Sequence, residues 1–435
     1  MNKAVVVGGG LAGVEAAMQL ARAGHAVTLF EMKPQKYSPA HKNDCLAELV
    51  CSNSLKAERV ESAAGLLKTE MLRFDSLTVQ CAQQVKVPAG GALAVDRDAF
   101  AALVTKKVEA EPNITLVRQE VCDIPDASVV IIAAGPLVSE PLAEKITALC
   151  GGMLSFFDAA APVVTAESLS MDHAFTQSRY DRGNEDDYIN CPLNKEEYER
   201  FQEALVSAEL AQTHSFDQRK GVYEGCMPIE VMAKRGADTI RFGPMKPVGL
   251  IDPKTGRRPW AVLQLRKENR AGTLYNLVGF QTNLKFAEQQ RVFSMIPALQ
   301  NAEYARYGVM HRNTFLNSLK LLEPSFALRS QKNLFFAGQI TGVEGYMESA
   351  ASGILAGMNA ARLLAGRPAL VLPPETMMGA LARYVSTDDK KNFQPMGAAF
   401  GLLPPLEDKI RDKNERYARL AARSLQIFES YPNEI

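Results

Sequence analysis

The 435 residues balance 49 lysines and arginines against 49 aspartates and glutamates, so no net field draws the whole chain toward a polyanion, and any nucleic-acid contact must be a local patch. Hydrophobic residues make up 47% and charged residues 23%, the composition of a globular chain with room for two or three domains. The seven cysteines are scattered and contain no C-x-x-C, no apolar run reaches the ~18 residues of a membrane span, and no basic leader precedes the first strand; the expectation is a cytoplasmic protein with no disulfide framework, metal site or membrane association.

Ala4-Val5-Val6-Val7 runs into Gly8-Gly9-Gly10-Leu11-Ala12-Gly13 and then into an alanine-rich stretch ending at Gly24, which reads as strand, tight turn and helix. In this pattern Gly8 permits the turn, Gly10 lets the backbone close on a pyrophosphate, and Gly13 lets the helix pack on the strand. The helix N-terminus adds unpaired N–H groups and partial positive charge. The second strand, residues 26–30, ends in Glu31, about 20 residues past the glycines, where a carboxylate accepts hydrogen bonds from a ribose and disfavours a 2′-phosphate. A glycine-rich turn in any α/β domain is the competing reading.

In residues 47–55 (AELVCSNSL), Cys51 is followed by Ser52, Asn53 and Ser54, all cap and turn formers. Cys51 is therefore expected where an element ends, near a helix N-terminus that lowers its thiol pKa; a buried structural cysteine is the alternative. Residues 61–84 carry apolar groups at helical spacing, with Cys81 in the core. Residues 85–94 suggest a bent hairpin, residues 98–111 a helix, and residues 114–117 and 129–135 two strands. The second of these ends in Ala133-Ala134-Gly135, small residues that suit a backbone passing close to a ligand.

From residue 155 to residue 323 the pattern turns to aromatic, proline-punctuated strands, as expected of a second domain inserted into the first. Here lie Tyr223-Glu224-Gly225-Cys226-Met227-Pro228 and the stretch 241–250, whose prolines and glycines make a stiff loop around Lys246. That loop either holds Lys246 toward a ligand or leaves it solvated. His311 stands among donors at residues 310–314, with a structural role as the alternative.

The first domain resumes with a strand at 333–337 and the run Gly338-Gln339-Ile340-Thr341-Gly342-Val343-Glu344-Gly345-Tyr346, followed by a helix rich in small residues. A second glycine-rich strand-to-helix junction, far downstream of the first, favours FAD over NAD as the tightly bound cofactor, because its helix N-terminus can face the electron-rich end of a flavin. Near the C-terminus Lys409, Lys413, Arg416 and Arg423 recur at helical spacing, a basic face that is either solvated or in contact with phosphates. The expected fold class is α/β: a Rossmann-like FAD-binding domain (residues 1–154 and 324–435) with an inserted, strand-rich α+β domain (155–323) and a helical C-terminal segment.

The strings GGGLAGVEAA, ELVCSNS, PAGGALAVDR, NCPL, EGCMPIE, RFGPMKPVGL, NLVGFQTNL, MHRNTF, FFAGQITGVEGYMESAASG and NFQPMGAAFGLLPPL, in order and nearly end to end, resemble the folate- and FAD-dependent tRNA (uracil-5-)-methyltransferase family, TrmFO. That family is similar to the larger flavin-dependent tRNA uridine carboxymethylaminomethyl enzymes. The resemblance implies reductive methylation of the T-loop uridine of tRNA to ribothymidine. Methylenetetrahydrofolate gives the carbon, reduced FAD gives electrons, and NAD(P)H re-reduces the flavin. It implies FAD contacts at Gly8, Gly9, Gly10, Leu11, Ala12, Gly13, Glu31, Gly338, Gln339, Gly342, Gly345 and Tyr346. It carries the two functional cysteines onto Cys226 and Cys51, and the folate-stacking histidine onto His311. Lys246, Arg416 and Arg423 are further candidates for substrate contacts in the T-arm. Cys226 is the expected nucleophile toward C6 of uracil and Cys51 the expected acid–base group, although their division of labour stays open. No obligate protein partner is implied. A small-molecule NAD(P)H-dependent flavin oxidoreductase would share the FAD motifs but not the folate site or the nucleophile.

Overall fold

The computed structural model describes residues 3–181, 184, 187–211, 227–387 and 393–430. Its central sheet runs in the order Ala327–Leu328, Gln331–Phe336, Val129–Ile132, Ala4–Val7, Val27–Glu31, Ile114–Arg118; every pairing is parallel except the short first one. Ala4–Val7 and Val129–Ile132 are buried along their whole length, as unbroken runs of valine and isoleucine require in a strand covered on both faces. Ala4 pairs with Val27 on one side and with Val129 on the other. This register brings the C-terminal ends of the central strands, and the loops after them, to one edge of the sheet, where open α/β sheets bind ligands.

The helices Leu11–Arg22 and Tyr346–Leu364 pack on this sheet and cross in near backbone contact. A Cβ at Gly353 would lie 2.1 Å from the Ala12 carbonyl oxygen, and one at Gly357 would lie 2.6 Å from that of Ala16. Glycine at these two positions therefore permits the crossing that sets both helix N-termini side by side. The expected helix over 61–84 is two helices, Ala63–Leu72 and Leu77–Gln84, because Asp75 adopts a left-handed φ of 53° between them. The carboxylate of Glu15, fully buried, caps the second through the N–H groups of Leu77 and Thr78.

A second core, formed by residues between Val164 and Leu299, is built on an antiparallel sheet ordered Phe175–Thr176, Tyr188–Leu193, Ala261–Lys267, Leu274–Leu277, Val163–Thr165, Tyr304–Arg306. The helix Lys195–Ser207 packs on it, started by a capping box between Asn194 and Glu197. The chain crosses between the two cores through the antiparallel pair Met153–Ala159 and Met310–Leu316, in which His311 lies opposite Asp158. Among the described residues, no helix is long and apolar enough to cross a membrane.

Candidate active site

A cavity of about 440 Å³ opens where the parallel strands end, walled by the first glycine loop, the loop around Cys51, the crossover pair and the second glycine-rich junction. Gly8 has φ of 104°, and a Cβ there would meet the Ala133 carbonyl oxygen at 2.4 Å, so the turn after the first strand is closed to any other residue. Around Gly10, by contrast, a Cβ would meet nothing within 4 Å, and Gly10 faces the cavity. The helix it caps has no side-chain cap, which leaves the first N–H groups, at Leu11 and Ala12, on the cavity wall. The helix Tyr346–Leu364 begins the same way, at Gly345 with φ of 121° and no side-chain cap. Two helix N-termini thus bring partial positive charge to one cavity, and the open face of Gly10 fits a diphosphate.

Glu31 is buried at the end of its strand, and its two oxygens accept the N–H groups of Gly9 and Lys33, each at 2.9 Å. It therefore fixes the glycine loop while keeping lone pairs for ribose hydroxyls. Ala133, Ala134 and Gly135 line the wall beside it, and Gly338, Gln339, Gly345 and Tyr346 line the wall opposite. Two of the expected contacts face elsewhere. A Cβ at Gly13 would lie 1.8 Å from the Gly8 carbonyl oxygen, and one at Gly342 would lie 2.4 Å from the Phe393 ring; both glycines serve packing beneath the cavity.

Cys51 lines the cavity, the one cysteine among the described residues to do so. Its N–H donates to the phenolic oxygen of Tyr346 at 2.7 Å. Its carbonyl accepts from Arg306 at 3.1 Å and from Arg97 at 3.4 Å. Both guanidiniums also pair with Glu268, and Arg266 holds the next two residues through Ser52 and Asn53. No helix starts in the loop after Cys51, which leads into a strand, Ser54–Ala57; the helix N-terminus beside Cys51 is that of the distant Tyr346–Leu364. Burial, reinforced by Asp158, pushes the Cys51 thiol up to about 12, against the pull of Arg97 and Arg306. Cys51 rests as a thiol, because desolvation of a thiolate outweighs two nearby cations.

His311 lines the cavity, and so does His41, which no motif in the sequence marks. Burial lowers both pKa values, with Lys33 adding to the effect at His41 and Lys42 at His311, which favours the neutral imidazole at both. Nδ1 of His41 is 2.6 Å from Oγ of Ser38. On the opposite wall, burial and then Asp158 push the Glu344 carboxyl up to about 8. Gln339 donates to one Glu344 oxygen at 2.9 Å, while the other is buried with no hydrogen-bond partner among the described residues. Next to it, Lys56 pairs with Glu348 at 2.7 Å. Glu344 and Asp158 are visible in the sequence only as acids inside the glycine-rich and FFDAAAP stretches, and only the fold brings them together.

Lys246, Arg416 and Arg423 lie outside the cavity. Lys246 is exposed in a turn and is not among the lining residues. Lys409 precedes the helix Lys413–Ser430, so the four cations do not share one helical face. Arg423 donates to the carbonyls of Pro404 and Pro405 at 2.6 and 3.0 Å, and Arg416 to that of Ile410 at 3.3 Å; these guanidiniums hold the preceding loop on the helix. Cys226 lies outside the described residues. Just after it, the N–H of Ile229 donates to the carbonyl of Gln281 at 2.7 Å, and Gln281 lines the cavity. Cys191 is fully buried in its sheet, where desolvation raises its pKa.

Residues 3–368 match the family described as "Glucose inhibited division protein A". The chain is 57% identical over 427 residues to the methylenetetrahydrofolate–tRNA-(uracil-5-)-methyltransferase TrmFO of Pelotomaculum thermopropionicum, covering 98% of this chain and 97% of that one. It is 57% identical over 430 residues to the protein of the same name from Moorella thermoacetica, covering 99% and 98%. Among solved structures, GidA of Aquifex aeolicus superposes with a TM-score of 0.69 at 16% identity, over 98% of this chain and 73% of that one, a likeness of fold.

Proposed function

Because this chain belongs to the glucose inhibited division protein A family and, within it, to the TrmFO group, we propose that it is a methylenetetrahydrofolate–tRNA-(uracil-5-)-methyltransferase. It methylates C5 of a uridine in tRNA, and we assign the T-loop uridine as target, NAD(P)H as the reductant and the cytoplasm as its compartment. Bound FAD, once reduced, supplies the two electrons that take the transferred carbon from the methylene to the methyl level. We divide the chain into a FAD-binding part (1–154 and 324–435) and an inserted domain (155–323); the two separate cores support two units, with Phe315, Leu316, Leu319 and Leu322 packed in the first core.

The chain's own residues do the rest. The N–H groups at the start of Leu11–Arg22 would hold the diphosphate and Glu31 the ribose, and the helix start at Gly345 and Tyr346 would lend partial positive charge to a reduced flavin. His311 and His41, both favoured in the neutral form, offer faces on which a pterin can stack. C5 of free uracil is a poor nucleophile, and a thiolate added at C6 makes it enolate-like, so the reaction needs a cysteine that attacks. Cys51, protonated at rest, is a proton donor and not a nucleophile, which leaves attack at C6 to Cys226.

The observation that carries this reading is the placement of Cys51 on the wall of the cavity formed by both glycine-rich junctions, with its amide bonded to Tyr346. The test is a tRNA with 5-fluorouridine at the target position. A covalent complex that survives Cys51→Ala and vanishes in Cys226→Ala supports the assignment; the reverse pattern exchanges the two roles. A complex unaffected by either change overturns the nucleophile. A small-molecule flavin oxidoreductase would form no complex.

A further inference from the structure

A cavity of about 440 Å³ is far smaller than a tRNA, so most of the RNA must rest on the outer surface, where Lys246 lies. Between residues 234 and 258 the chain carries seven cations (Lys234, Arg235, Arg241, Lys246, Lys254, Arg257, Arg258) against two acids (Asp238, Asp252), in a protein whose totals are equal. All seven except Arg241 are exposed. In their midst Phe242 is 71% exposed, the most exposed large hydrophobic among the described residues. Its ring is held from below: the Arg241 guanidinium lies 5.1 Å from the Phe242 centroid and 3.8 Å from the Trp260 centroid, and Arg241 Nε donates to the Trp260 carbonyl at 3.0 Å. Arg258 is two residues from Trp260, so the loop's last cations adjoin this stack. The base of the loop is rigid, with Met245 and Leu250 fully buried and the Met245 carbonyl bonded to Val262 N–H at 3.0 Å.

Among the described residues, the patch is joined to the cavity wall through residues 279–281. Pro244 packs so closely on Gly279 that a Cβ there would lie 2.5 Å away, and Gln281, two residues on, lines the cavity. The helix Ile229–Lys234, which carries Lys234, starts at the Gln281 carbonyl. We propose that the surface formed by Phe242, Lys246, Arg257 and Arg258 is where the tRNA docks, its phosphates on the cations and an unpaired base stacked on Phe242, which places the neighbouring target uridine at the cavity. This rests on the methyltransferase reading. Cations around a firmly mounted, exposed aromatic ring are the combination that binds single-stranded loops, since phosphates need charge and bases need a flat face. The C-terminal helix also sets cations beside a ring, Lys413 and Arg416 at 5.5 and 5.7 Å from the Tyr417 centroid, but that ring is half-buried against Phe400, and Arg416 and Arg423 bond backbone carbonyls.

The experiment measures binding of an unmodified tRNA transcript to the flavin-loaded protein over a range of salt concentrations. Phe242→Ala should weaken binding by about 5- to 150-fold, the range for loss of one base–aromatic stack, with the salt slope unchanged. Lys246→Ala combined with Arg257→Ala and Arg258→Ala should weaken binding and lower the slope by about 0.7 to 0.9 for each phosphate that is no longer neutralised. Flavin content and melting temperature, unchanged in both variants, certify the fold. Parent-like affinity and slope in both variants, with tRNA binding by the parent intact, overturn the docking surface alone. A parent protein that binds no tRNA overturns the methyltransferase reading and the surface with it. A change in sedimentation of Phe242→Ala without loss of tRNA affinity overturns the proposal in favour of a contact between copies of the chain.

Discussion

The phenolic oxygen of Tyr346 accepts the N–H of Cys51 at 2.7 Å and that of Ser52 at 3.3 Å, so the loop bearing the cavity's cysteine hangs from the first residue of the helix Tyr346–Leu364. Tyr346→Phe keeps the ring and removes the acceptor from both amides. The expected cost is about 1 to 3 kcal/mol of stability, the penalty for leaving buried donors unpaired. The parent's Cys51 should react slowly with iodoacetamide at pH 7.5, because its thiol is pushed up to about 12, and the rate should climb as pH rises. In Tyr346→Phe the loosened loop should react faster at every pH. Peptide-resolved mass spectrometry reads both effects, and a parent Cys51 labelled as fast as the exposed Cys122 would contradict the environment described.

Glu31 binds the amides of Gly9 and Lys33, so its replacement acts on the loop as well as on a ribose. Glu31→Ala should lower FAD affinity by about 10- to 150-fold, equivalent to about 1.5 to 3 kcal/mol for one charge-assisted hydrogen bond. Glu31→Gln, which preserves shape and one acceptor, should fall between the parent and Glu31→Ala. Flavin absorbance of purified protein and reconstitution with added FAD measure this. Flavin affinity equal to the parent's in Glu31→Ala would mean that the carboxylate serves the loop alone.

Glu344 holds a proton in the folded chain up to about pH 8, whereas in the unfolded chain it releases it near the usual 4.5. Across that window the folded state binds more protons than the unfolded state, so the contribution of Glu344 to stability falls as pH rises, and below the window it is flat. Glu344→Gln removes the titration and keeps the hydrogen-bonding shape. The melting temperature of the variant minus that of the parent should therefore grow steadily from pH 5 to pH 8. A difference that stays constant over this range would show that Glu344 ionises in the fold as it does in the unfolded chain.

The features readable from the sequence are those where chain geometry permits one residue type. Gly8 and the helix crossing at Gly353 leave no room for a Cβ, so the strand–glycine–helix pattern carries both the sheet and the position of the cavity. The state of Cys51 is not readable in this way. Its carbonyl is held by Arg97 and Arg306, which come from distant parts of the chain, and its pKa follows from burial that only tertiary packing creates. The same holds for His41 and Glu344, polar residues in loops whose surroundings are set by the crossover pair. The basic spacing near the C-terminus misleads because helical period says nothing of where a helix starts. The helix begins at Lys413, after Lys409, and Arg423 is consumed by the loop it anchors.

The most direct test of the function is transfer of carbon to RNA. Flavin-loaded protein, NAD(P)H, methylenetetrahydrofolate labelled in its one-carbon unit and an unmodified tRNA transcript are combined, and the nucleosides are resolved after digestion. We expect label in ribothymidine from the T-loop position, absent when the transcript carries cytidine there and abolished by Cys226→Ala. NAD(P)H oxidation that proceeds without any labelled ribothymidine, whatever the tRNA, would contradict it and leave a flavin oxidoreductase in its place.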